Sequence, residues 1–95
     1  MIKVTQDPDA QLPYAIDWSS WLDQSETLIS SEWSVEPSDG VHLQESTVAA
    51  GKVASVWISG LTLGTAYTVT NHITTSSTPL PKIDDRSFII LCEDR

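Results

Sequence analysis

Leu61-Thr-Leu-Gly64-Thr-Ala-Tyr67-Thr-Val-Thr-Asn-His-Ile73 decides the fold. A Gly-Thr corner runs directly into a β-rich segment in which Tyr67, Val69 and Ile73 fall on one face and Thr68, Thr70, His72 and Thr74 on the other. Such alternation predicts a half-buried strand through residue 75, with Gly64 supplying the positive φ of its entry turn. Tyr67, Val69 and Ile73, with Gly64 at their corner, are therefore expected in the structural core.

Working towards the N-terminus, residues 26–35 also alternate, with Thr27, Ile29, Ser31, Trp33 and Val35 on one side and Glu26, Leu28, Ser30, Glu32 and Ser34 on the other. This predicts a second strand with Trp33 and Ile29 inward. Pro37-Ser-Asp-Gly40 reads as a turn, residues 41–48 as a more polar strand, and Ala49-Ala-Gly-Lys52 as the next turn. Residues 52–59 form a β-rich run in which one of the adjacent Trp57 and Ile58 must face away from the core. After a long loop over residues 76–85, residues 86–92 supply a closing strand.

The N-terminal segment reads differently. Pro8 and Pro13 bracket an acidic Asp7-Pro-Asp9, so residues 1–13 are expected to form an extended arm preceding a single domain over residues 14–95. In the following Tyr14-Ala-Ile-Asp-Trp-Ser-Ser-Trp-Leu22, Asp17 is placed to cap a short turn that gathers Trp18, Trp21 and Leu22; a kinked strand fits equally well. Five or six strands at spacings of about 8–12 residues predict an all-β, antiparallel sandwich.

Bulk properties limit the function. Ninety-five residues, 40% of them hydrophobic, make one modest core and leave little chain for a deep catalytic cleft. Thirteen acidic against five basic side chains give a net charge of −8, which repels phosphate backbones, and Lys3, Lys52, Lys82, Arg86 and Arg95 are scattered singly. Nucleic acid is thus excluded as the expected partner, and the apolar runs are too interrupted for a membrane span. No secretory signal pattern follows Met1, so synthesis and folding are expected in the cytoplasm.

Candidate chemistry is sparse. Cys92 lies in the apolar run Phe88-Ile-Ile-Leu-Cys92, where burial favours an inert thiol, and a Cys92–His72 pair would sit in an acidic setting unsuited to a thiolate. His42 reads as an ordinary surface residue, Asp84-Asp85-Arg86 as a turn with a local charge pair, and neither Asp7/Asp9 nor Asp84/Asp85 follows a calcium-loop pattern. No phosphate-cradling glycine motif occurs. No catalytic, cofactor-binding or metal-binding residue is expected. Four tryptophans exceed what one small core absorbs with every indole N–H satisfied, which makes Trp18 and Trp21, together with Asp7 and Asp9 of the arm, the candidate interface.

Three blocks occur in order: Asp7-Pro-Asp-Ala10 leading into Tyr14 to Leu22; Thr27-Leu-Ile-Ser-Ser-Glu-Trp33-Ser-Val35; and Val56-Trp-Ile-Ser-Gly60 through Gly64-Thr-Ala-Tyr67 to Thr75, with Asp84-Asp-Arg-Ser87. Together they resemble the small virion proteins of tailed bacteriophages described as fiber-tail adaptor proteins. At one point the chain departs from them, with Leu61 after Gly60 in place of a second glycine. The resemblance implies an immunoglobulin-like or fibronectin III-like sandwich, no enzymatic activity, and a place in the virion tail. Its expected partners are other virion proteins, the tail adaptor or tube and a fiber or spike, with the chain itself in a homo-oligomeric arrangement. A capsid decoration protein and a carbohydrate-binding module are the alternative expectations.

Overall fold

The computed structural model describes residues 2–93; Met1 of the expected arm and Asp94 and Arg95 of the expected domain lie outside the described residues. Among the described residues seven strands form two sheets and there is no helix. The strands are β1 (Ile2–Gln6), β2 (Leu12–Asp17), β3 (Leu28–Glu36), β4 (His42–Ala49), β5 (Val53–Ser59), β6 (Ala66–Thr75) and β7 (Ile83–Cys92). One sheet has the order β1-β7-β6-β3 and the other β2-β5-β4. Packed together they make a rod of 46 × 21 × 20 Å.

The expected arm is corrected by this arrangement. Ile2-Lys-Val-Thr-Gln6 is rich in β-branched residues and lies alongside β7, with Val4 opposite Ile90, while β2 joins the other sheet opposite β5. Pro8 falls between these strands, where the chain crosses from sheet to sheet, and Pro13 sits within β2 opposite Trp57. The β1–β7 pairing is parallel, so the sheet is mixed where an antiparallel one was expected.

Inward side chains alternate along β6, with Tyr67, Val69, Asn71 and Ile73 at 0–1% exposure. Tyr67 and Val69 meet Val56 and Ile58 from β5 and Phe88, Ile90 and Cys92 from β7. A second cluster joins Trp18, Leu22, Leu28, Ala54 and Ile73, and Trp33 packs against both. Full burial of each large apolar side chain contributes about 1.5–3 kcal/mol, so these clusters fix the sandwich. Leu61, where a second glycine was expected, is buried against the first cluster and has a packing role that glycine cannot fill.

Ile29 is corrected as well. A bulge between Leu28 and Ser30 inserts an extra residue in β3, so Leu28 points inward opposite Thr75 and Ile29 is 61% exposed. Beyond the bulge Ser31, Trp33 and Val35 return to the core side as the alternation demands. Gly64 has φ +84° and open space around it, making it a turn residue outside the core. The closing strand begins at Ile83, so Asp84, Asp85 and Arg86 belong to a strand and not to a turn.

Candidate interaction surface

Trp18, expected at an interface, is fully buried. Asp17 Oδ1 accepts from Ser19 N–H at 2.8 Å and opens a single turn in which Trp18 C=O accepts from the amides of Trp21 and Leu22, both at 3.0 Å. Those bonds from Ser19 lower the Asp17 pKa and keep its carboxylate ionised. The turn drops Trp18 between the sheets, where its indole Nε1 donates to Asn71 Oδ1 at 2.9 Å. Arg86 covers the ring from outside, 4.3 Å from its centroid, and Trp21 packs edge-on at 5.3 Å with Lys82 over it. The pair closes the end of the sandwich.

Asp7 and Asp9 occupy the β1–β2 crossing. Asp7 Oδ1 accepts from Asp9 N–H at 2.8 Å and its carbonyl from Ala10 N–H at 3.0 Å, which folds the crossing into a tight turn. Next to it Gln6 is fully buried and ties the sheets together: its Nε2 donates to the carbonyls of Ile58 and Ala10, and its Oε1 accepts from Tyr14 Oη at 2.6 Å. Composition gave no hint of this clasp, since glutamine is ordinarily a surface residue.

Two broad outer faces remain, and their chemistry differs. On the three-stranded sheet, register places Trp57 between Pro13 and Gln44, then Ser55 between Ala15 and Thr47. These two rows carry no charged side chain, the next row, Asp17–Val53–Ala49, ends on the Asp17 carboxylate, and Trp57 is 39% exposed. Of the adjacent pair left open by the sequence, Ile58 takes the core and Trp57 the surface.

On the four-stranded sheet the rows read Glu36–Thr68–Ile89–Lys3, Ser34–Thr70–Ser87, Glu32–His72–Asp85 and Ser30–Thr74–Ile83. This face is hydroxyl-rich and acidic. Thr70 and Ser87 hydroxyls bond across it at 2.8 Å, and His72 Nδ1 bonds Asp85 Oδ1. Ile29 and Ile83 are exposed at its end, as is Leu80 in the β6–β7 connection. Sequence reading placed Ile29 inside and Ile83 in a loop, so it missed this apolar rim.

Catalytic candidates are not brought together. His72 pairs with Asp85 near the start of β7, whereas Cys92 ends that strand beside Gln6 of β1. Burial first, and then the charge of Asp7, raises the Cys92 pKa and keeps the thiol protonated. Among the described residues no three His, Cys, Asp or Glu side chains form a set able to hold a metal ion.

A search of curated proteins returned no match to this chain. A family model described as podophage GP4 fiber-tail adaptor protein gp77 matches residues 6–91, which runs from the buried clasp Gln6 to the penultimate residue of β7 and so includes both faces. With nearly all of its 95 residues inside that match, the chain belongs to the podophage GP4 fiber-tail adaptor protein gp77 family.

Proposed function

We propose that this protein is a passive connector that joins fibers or spikes to the phage tail through its two unlike faces, in a homo-oligomeric arrangement about the tail, without catalysis or cofactor. The observation that carries the reading is the contrast between the Trp57 face, whose paired rows carry a single carboxylate at one end, Asp17, and the acidic, hydroxyl-rich His72 face on opposite sides of a thin rod. Tryptophan in an uncharged setting suits a dry contact, whereas an acidic face suits a basic, wetter one. Two such surfaces engage two different neighbours without competition.

In this reading the scaffold is immunoglobulin-like. The orders β2-β5-β4 and β3-β6-β7 correspond to the B-E-D and C-F-G sets of that fold, with β1 lying beside the last strand. Trp33 then sits on the C strand, and Tyr67 on the F strand with its hydroxyl accepting from the upstream Thr62 N–H at 2.7 Å, as in a tyrosine corner.

Particles assembled without this protein test the role. The expected product is a complete tail that lacks fibers, and fibered particles from the deletion strain would overturn the proposal. Trp57→Asp, on an already exposed position, is expected to reproduce the loss while the isolated fold keeps its melting temperature.

A further inference from the structure

The sandwich is closed along one seam and open along the other. β1 and β2 are the edge strands along the open seam, and at the end away from Gln6 they leave a slot of about 360 Å³ walled by Ile2, Val4, Tyr14, Ile16 and Phe88, with Asp17 and Arg86 also lining it. Apolar cavities of about 150 Å³ accept a benzene-sized group, so the slot has room for about two large side chains. Ile2, 72% exposed, stands at its mouth.

Backbone groups beside the slot are also unpaired. Trp18 N–H donates to Lys52 C=O at 2.9 Å, continuing the β2–β5 ladder, and strict alternation makes Ile16, Tyr14 and Leu12 the residues that exchange bonds with β5. The amides of Ala15 and Asp17 and the carbonyls of Pro13, Ala15 and Asp17 then point to the open side. Arg86 Nη1 reaches the Asp17 carbonyl at 3.4 Å, as that geometry requires. Among the described residues the others meet no partner. Pro13, which has no N–H to offer, fits an edge position.

We infer that the free edge of β2 accepts an extended segment of a different tail protein, which adds a fourth strand to the β2-β5-β4 sheet and drops alternate apolar side chains into the slot between β1 and β2. Main-chain bonds would supply affinity and the slot would select side chains. Charge commits the occupant: at the slot Asp17 and Arg86 stand together and balance locally, but the chain as a whole carries a net −8, which disfavours a second copy at this edge and favours a segment of net positive charge.

This deepens the connector reading and rests on it for the source of the segment. The test compares phage particles carrying the wild-type protein, Ala15→Pro, Ile2→Asp or no protein, with copy number per tail measured by quantitative mass spectrometry. Ala15→Pro removes an outward N–H; Ile2→Asp puts a charge at the mouth of the slot on an exposed position. Each is expected to lower tail occupancy at least tenfold, with purified variants melting as wild type does. Wild-type occupancy with Ile2→Asp overturns the strand addition even if Ala15→Pro fails to fold. Fibered particles from the deletion strain would instead overturn the connector reading.

Discussion

Trp18 Nε1 donates to Asn71 Oδ1 across the sandwich at 2.9 Å, and both residues are fully buried. Asn71 in turn donates through Nδ2 to Ser31 Oγ at 2.9 Å and to the Glu32 carbonyl at 3.2 Å. A single buried amide thus joins the β2–β3 turn, β3 and β6. Trp33 is the counterexample, with a buried indole N–H that meets no partner among the described residues.

That contrast predicts unequal costs for one chemical change. Trp18→Phe leaves Asn71 Oδ1 unsatisfied and should cost about 2–4 kcal/mol, combining lost area with an unpaired buried acceptor. Trp33→Phe relieves an orphan donor and should cost about 1 kcal/mol or less. Urea denaturation of the two variants checks the order, and equal or reversed costs would contradict it.

Tyr67→Phe retains the ring and removes only the acceptor for Thr62 N–H. A loss of about 1 kcal/mol is expected, with faster exchange of the Thr62 amide. Unchanged exchange at Thr62 would mean that the hydroxyl does not hold the corner.

Glu26 binds the β2–β3 connection to the β6–β7 connection: it accepts from Asp23 N–H at 2.7 Å, from Ser77 Oγ, and from Lys82 Nζ at 3.2 Å. The Ser77 bond first, then the Asp23 amide, lowers its pKa from 4.5 to about 2. A depressed carboxylate pKa stabilises the fold above the unfolded value and loses that contribution as pH falls through the folded one. The stability gap between wild type and Glu26→Gln should therefore shrink from about pH 4.5 down to about pH 2. A gap that stays constant across this window would contradict the network.

Two glycines with positive φ should respond differently to alanine. At Gly64, φ +84°, a Cβ meets nothing, so only the backbone preference is lost, about 1–2 kcal/mol. At Gly60, φ +80°, a Cβ collides with the Gly40 carbonyl oxygen and crowds His42 at 3.2 Å. Thermal melts should rank Gly60→Ala well below Gly64→Ala.

Periodicity made β3, β5 and β6 legible in the sequence, because side chains at every second position report burial directly. Ile29 escaped because a bulge breaks that count by one, and nothing local announces it. β1 escaped because two nearby prolines outweighed Ile2-Lys-Val-Thr, although a strand needs only to end before the first of them. Trp18 was misread for a different reason: satisfying its N–H required Asn71, 53 residues away, and such a partner is visible only in three dimensions. Trp57 was half legible, since the sequence required that it or Ile58 be exposed and packing chose.

Side-chain-resolution imaging of the intact virion tests the central claim most directly. The account predicts a seven-stranded sandwich between tail and fiber, with Trp57 and His72 facing different neighbours, in about six to a dozen symmetric copies. A sandwich found on the capsid shell in hundreds of copies, or with one neighbour covering a single face, would contradict it.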